Sequence, residues 1–195
     1  MGARELLGRK FMGPDIDIQL VRHGEAAARW DTARDPPLSA QGQAQAQTLV
    51  ASFADRPARR ILTSPLLRAQ ETAQPLAQYW QAQVNIEDDV RELPSSVPLA
   101  ERAAWLAGVM QSQWSQVDHS LQRWRERTWT LVNRCQQDTV IFTHFMVINA
   151  LVGLATGDPR LVCFEPDYCS VTRLRLTAQG CELVSLGKAR ATLVL

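Results

Sequence analysis

Residues 16–25 read IDIQLVRHGE, with Gly13-Pro14 just before them. Apolar and polar residues alternate up to Gln19, and then Leu20 and Val21 run straight into Arg22, His23 and Gly24. Alternation that turns into a continuous apolar run, bounded by turn-forming residues, predicts a buried strand over about Ile16–Arg22. A strand built for a core therefore finishes on a charged Arg-His pair. The chain holds three histidines in all, so what this pair meets at the strand end decides the functional reading.

Downstream, the charged and proline-containing stretch AAARWDTARDPP (26–37) reads as a surface loop. Ser39 can cap a helix running to about Ala54, because Ala46, Leu49, Val50 and Phe53 fall at i, i+3, i+4 and i+7. RRILTS (59–64) is a short strand, and Ala69, Thr72, Ala73, Leu76, Ala77 and Trp80 mark a helix that Pro75 should bend. VNIE (84–87) is a brief strand and LPSSVP (93–98) a loop. Leu99, Ala103, Leu106 and Met110 give one helix, and Leu121, Trp124, Thr128, Leu131, Val132 and Cys135 give a longer one. DTVIFTH (138–144) is an apolar strand followed by the buried-helix pattern FMVINALVG, and CSVTRLRL and CELVSL alternate as two strands joined through TAQG. Strands alternating with helices predict an α/β fold of three layers, α/β/α, whose mainly parallel sheet has an antiparallel edge.

With 195 residues, 46% hydrophobic and 21% charged, the chain suits a single domain over 1–195. Residues 1–14 are a candidate flexible N-terminus, and about 93–117 a helical insert. The net charge is +1, lysine occurs only at Lys10 and Lys188, and acids alternate with bases, so no nucleic-acid partner is expected. The four cysteines form no C-x-x-C pair, there is no H-E-x-x-H, and Gly187-Lys188 lacks the glycine spacing of a phosphate loop. No cofactor or metal is expected. The N-terminal stretch has no apolar signal core, Leu6 stands where a myristoylation signal needs Ser or Thr, and no apolar run is long enough to span a bilayer. No membrane partner and a cytoplasmic location are the expectations; oligomeric state is left open.

Three strand ends carry the chemistry. The first delivers Arg22 and His23, RRILTSPLLR delivers Arg68, and DTVIFTH delivers His144. In open α/β sheets ligands bind beyond the carboxyl ends of the strands. Two arginines and two histidines gathered there repel one another and resist desolvation unless an anion sits between them. The guanidinium fork matches phosphate oxygens, and an imidazole offers a donor or a nucleophilic nitrogen. A strand end that merely emerges into solvent explains Arg22 and His23 taken alone, but not all four residues.

LVRHGEA (20–26), DPPLSAQGQAQA (35–46), LTSPLLRAQETA (62–73), RELP (91–94) and VIFTHFMVINAL (140–151) stand in that order. Together, from about Ile16 to Leu176, they resemble the signature blocks of the histidine phosphatase superfamily, also called phosphoglycerate mutase-like, and within it the phosphatase branch. The resemblance implies that His23 takes the phosphoryl group while Arg22, Arg68 and His144 hold its oxygens, the arginines standing where other enzymes use a metal. It implies Glu92 as general acid and base, with Glu25, Asp88 and Asp89 as competitors and Glu25 the more structural of them. Relatives of that branch continue after this glutamate with a glycine and a WEG-like segment, whereas this chain continues LPSSVPLAERAAW. At Arg29 many members carry an asparagine that touches the phosphate; an arginine there can add a phosphate contact or reach a second acidic group, and the neighbouring Trp30 can border the substrate. The expected function is a metal-independent phosphomonoesterase acting on a small phosphorylated metabolite through a phosphohistidine intermediate. The alternatives are a phosphohistidine protein phosphatase and a catalytically silent module that binds a phosphate ligand. His119 and the arginines at 123, 125 and 127 read as solvated surface, and most of the six tryptophans as packing elements.

Overall fold

A strand buried along both faces and both edges needs a neighbour on each side. In the computed structural model, which describes residues 14–29 and 32–190, strand β1 (Ile16–Arg22) has them. It pairs parallel with β4 (Thr139–Thr143) and antiparallel with β5 (Val171–Thr177). Beyond β4 lie β2 (Arg60–Thr63) and β3 (Val84–Ile86), both parallel, and beyond β5 lies β6 (Gly180–Ser185), antiparallel to it. Among the described residues the sheet thus has six strands in the order β3-β2-β4-β1-β5-β6, mainly parallel with its antiparallel pairings at one edge. Most of the candidate N-terminal segment, residues 1–13, and Trp30 lie outside the described residues.

Alternation along the strands separates two cores. Leu20, Leu62 and Ile141 point to the face covered by α4 (His119–Asn133) and α5 (Phe145–Thr156), where they join Trp124, Val132, Ile148 and Leu151. Val21, Ile61, Val140 and Phe142 point to the other face, against Leu49 of α1 (Ala40–Leu49) and Ala73 and Leu76 of α2 (Leu67–Trp80). Helices on both faces make the three layers. The expected helix to Ala54 ends as an α-helix at Leu49 and tightens into a 3-10 turn over Val50–Phe53. The α2 helix runs through Pro75 without a break in its assignment.

Two readings of the surface change. Arg125 is half-buried, with its guanidinium carbon 4.4 Å from the Trp114 ring centroid, and burial pulls its pKa down to about 10. Only Arg123 and Arg127 of that trio are exposed. Helix α3 (Arg102–Met110), read from an apolar stripe, contains no fully buried residue. Among the described residues no helix is long and apolar enough to cross a membrane.

One close approach fixes the chain after His23. Ser39 caps α1 by accepting a hydrogen bond from the Gly42 N–H at 3.0 Å, and that first turn lies against the backbone of residues 24 and 25. A Cβ on Gly42 would stand 2.0 Å from the Glu25 carbonyl oxygen, and one on Gly24 would stand 2.7 Å from the Gly42 carbonyl oxygen. Neither neighbour is a flexible side chain, so a methyl group at 42 must push backbone. Gly42→Ala should destabilise the protein by about 2 kcal/mol or more, lowering the thermal midpoint by about 4–8 °C. Gly108→Ala in α3, where an added Cβ meets nothing within 4 Å, should leave the midpoint unchanged or raise it. Equal midpoints for the two variants would mean that the 24–42 contact constrains nothing.

Candidate active site

Parallel pairing puts the ends of β1, β2 and β4 at one edge. Arg22 is in register with Thr143, and the His23 N–H donates to the Thr143 carbonyl at 2.9 Å. The residues that follow each strand, His23 and His144, therefore lie side by side with ring centroids 5.1 Å apart. Arg68 reaches the same place from the first turn of α2, and its Nε–H donates to His23 Nε2 at 3.2 Å. Arg22, Arg68 and both histidines are buried, His144 completely.

Hydrogen bonding fixes the protonation of each ring. His23 Nδ1 lies 2.7 Å from the Gly24 carbonyl oxygen. A carbonyl can only accept, so Nδ1 carries the proton and Nε2 holds the lone pair. His144 Nε2 lies 2.7 Å from Ser64 Oγ, which already accepts from the Leu66 N–H at 3.2 Å. Among the described residues the Ser64 hydroxyl donates to no other acceptor, so its proton goes to His144 Nε2, which leaves the ring proton on Nδ1, a buried atom with no hydrogen-bond partner in the protein. Burial, reinforced for His23 by Arg68 and for His144 by His23 and Arg68, holds both pKa values well below the usual histidine range. Both rings are neutral near pH 7.

The cations are held from behind. Arg22 donates from Nη1 to the Pro166 carbonyl at 2.7 Å, and its guanidinium carbon sits 4.2 Å from the Tyr168 ring centroid and 5.3 Å from that of Phe145. Arg68 Nη1 has only the distant carboxylate of Asp35, at 3.9 Å. Burial lowers both guanidinium pKa values, yet arginine stays charged. Arg22 Nε, Arg68 Nη1 and His144 Nδ1 are all buried without a hydrogen-bond partner. Three unused donors around one neutral imidazole nitrogen match the oxygens of a tetrahedral oxyanion.

Glu92 faces the same space. Its Oε1 accepts from the Leu93 N–H at 2.9 Å and the Met146 N–H at 3.3 Å, so Oε2 is the oxygen able to carry a proton. Burial raises its pKa above the usual glutamate value, against the lowering by these bonds, Arg68 and Arg22. Of the competing carboxylates Glu25 also lines this space, while Asp88 and Asp89 do not, and each of the three has a partner. Glu25 accepts from the Ser39 hydroxyl at 2.7 Å, Asp88 pairs with Arg91 at 2.8 Å, and Asp89 pairs with Arg127 at 3.2 Å. His119 is exposed at the start of α4. The cysteines are free, and burial pushes Cys163 up to about 11 and Cys169 and Cys181 up to about 12, so these thiols are protonated.

Arg22, His23, Arg68, Glu92 and the exposed Arg29 line one cavity of about 750 Å³. Sequence reasoning did not single out Ser64, Asp35, Phe145, Tyr168, Glu165 or Arg190 as site residues. The first carried a signal, a serine directly after a buried strand in LTSPLLR. Glu165, Tyr168 and Arg190 come from connections far along the chain, where no periodicity marks them. Among the described residues no group of three or more His, Cys, Asp or Glu side chains is arranged to hold a metal ion.

The chain is 32% identical over 105 residues to a probable phosphoglycerate mutase GpmB of Serratia proteamaculans, covering 51% of this chain and 47% of that protein. The match thus spans about half the length of that relative. In fold it is similar to the mycobacterial glucosyl-3-phosphoglycerate phosphatase Rv2419c, with TM-score 0.72, 19% identity and coverage of 90% of this chain and 100% of the other. It is similar also to a phosphoglycerate mutase from Bacillus anthracis, with TM-score 0.70, 15% identity and coverage of 91% and 95%. The family model for the histidine phosphatase superfamily (branch 1) matches residues 18–189, and the chain belongs to that superfamily.

Proposed function

We propose that this protein is a phosphomonoesterase that works through a phosphohistidine intermediate on a small phosphorylated metabolite. The observation that carries the reading is the state of His23: a buried neutral imidazole, locked through Nδ1, offers its Nε2 lone pair beside Arg68 at 3.2 Å. The similar proteins, a phosphatase and phosphoglycerate mutases among them, support the same chemistry.

In this mechanism Arg22, Arg68 and the His144 Nδ1–H hold the non-bridging oxygens, and Arg29 lies at the mouth of the cavity as a further phosphate-binding candidate. His23 Nε2 attacks phosphorus in line with the ester oxygen. The P–O ester bond breaks, its electrons leave with the alcohol oxygen, and Glu92 Oε2 supplies the proton. The phosphorylated ring is stabilised because its Nδ1–H still donates to the Gly24 carbonyl. Glu92, now a carboxylate, takes a proton from the incoming water, whose oxygen attacks phosphorus and restores the neutral imidazole. Charge building on the phosphoryl oxygens meets donors already aimed and desolvated. The cavity wall formed by α3 favours a small ester over a side chain on a folded protein.

His23→Ala should lower turnover of p-nitrophenyl phosphate by at least about 10⁴-fold with an unchanged circular dichroism spectrum, and should abolish acid-labile, base-stable labelling by radioactive substrate. Retained turnover refutes the mechanism.

Glu92→Gln should slow alkyl phosphates by about 10²-fold or more, and aryl phosphates much less, because an aryl oxide departs without full protonation. The acid form of a group with a raised pKa persists above the usual glutamate range and disappears as pH rises through the raised value. Alkyl phosphate turnover should accordingly fall on the alkaline side in the natural protein, and Glu92→Gln should lack that limb. Equal losses for both ester types would assign the proton to another group.

Ser64→Ala frees His144 Nε2 from the hydroxyl that fixes its tautomer. It should reduce kcat/KM by about tenfold, the equivalent of one net hydrogen bond. An unaltered kcat/KM would remove His144 Nδ1 from the list of phosphate donors.

A further inference from the structure

The cavity is far larger than a phosphoryl group requires. At about 750 Å³ it holds a whole organic molecule, and the cationic cluster occupies one end of it. One of the remaining walls differs in kind from that end, although Glu25, Glu165, Tyr168 and Arg190 also border the cavity. Leu93, Ala103, Leu106, Ala107, Met110 and Phe145 line the cavity with hydrocarbon, and none of them carries a charged or hydrogen-bonding side chain.

Helix α3 gives this wall its meaning. Positions 103, 106, 107 and 110 follow the i, i+3, i+4, i+7 stripe by which a helix normally buries its apolar face against protein. Here Leu106 and Met110 are half-buried, each packed against the main core on one side and lining the cavity on the other, while Ala103 and Ala107 are exposed at its wall. Phe145 joins this wall to the phosphate end, since its ring centroid also lies 5.3 Å from the Arg22 guanidinium carbon. A polyhydroxylated or doubly anionic leaving group seated here would give up hydration without gaining hydrogen bonds from the wall. The charged side chains Arg29, Glu165 and Arg190 also line the cavity but are exposed to solvent, and the backbone N–H of Arg190 donates to the backbone carbonyl of Glu165 at 2.8 Å, which sets these two residues of opposite sign on adjacent segments.

Resting on the phosphomonoesterase reading, we infer that the substrate is a phosphomonoester of an uncharged apolar alcohol, aryl or alkyl, whose hydrocarbon lies between α3 and Phe145. The test is a series of n-alkyl phosphates, whose leaving-group basicity is nearly constant, assayed beside 3-phosphoglycerate and p-nitrophenyl phosphate. For the natural protein kcat/KM should rise about fourfold per methylene, the transfer value of a buried CH₂, and so by about two orders of magnitude from ethyl to hexyl phosphate. Ala107→Glu, at an exposed helix position where the fold tolerates it, should lower the hexyl-to-ethyl ratio at least tenfold.

A flat series with p-nitrophenyl phosphate still hydrolysed overturns the inference while leaving the phosphatase reading in place, as does faster turnover of 3-phosphoglycerate than of hexyl phosphate. Absence of turnover on every ester overturns both.

Discussion

The site depends on one backbone register. Arg22 opposite Thr143 and the His23 N–H bonded to the Thr143 carbonyl at 2.9 Å place two imidazoles next to each other at the ends of adjacent parallel strands. Side chains alternate with period two, so a slip of one residue in this pairing would turn Arg22 to the opposite face and separate the rings. The register is held from both sides of the sheet, because Leu20 and Ile141 belong to one core while Val21, Val140 and Phe142 belong to the other. Neither core can accept the residues of the other without burying a gap. Packing far from the edge therefore fixes the chemistry at the edge.

That placement works against stability locally. Arg22 and Arg68 are buried with unused donors and no hydrogen-bonded carboxylate, and desolvation is the leading effect on each. The protein meets this in three ways. It keeps the histidines neutral, so that two cations rather than four share the volume. It spreads the Arg22 charge over the faces of Tyr168 and Phe145 and a backbone carbonyl. It leaves Glu92 close enough to lower the unfavourable field yet buried enough to keep a raised pKa. Under the proposed function an oxyanion completes the balance, and the groups that strain the arrangement are the ones that hold the phosphate.

What could be read from the sequence follows the range of the interactions. The bounds of β1, the Ser39 cap of α1, the mainly parallel sheet and the convergence of Arg22, His23, Arg68 and His144 all rest on local periodicity or on the rule that strand ends share an edge. Ser64, Tyr168, Glu165 and Arg190 enter through contacts between distant segments, such as the 80 residues between Ser64 and His144, and periodicity is blind to those. Arg125 was misread for a related reason. Its helical position is amphipathic by pattern, but Trp114 from the preceding segment covers it. The α3 stripe was legible as a helix and illegible as a cavity wall, since hydrophobic spacing records that a face avoids water without recording what replaces the water.

The two ends of the cavity are held by different means, and this sets how each can change. The phosphate end hangs on strand register and on the backbone contact between Gly24 and Gly42, where even one methyl group has no room. The α3 end hangs on half-buried side chains, with no residue of the helix fully enclosed. Exposed α3 positions such as Ala107 can exchange one surface for another, while Leu106 and Met110 also pack against the core, and a side chain at Gly24 or Gly42 must displace backbone. Under the proposed function this division lets selectivity drift while the reaction stays constant, because the residues assigned to the leaving group carry little of the stability that orients His23.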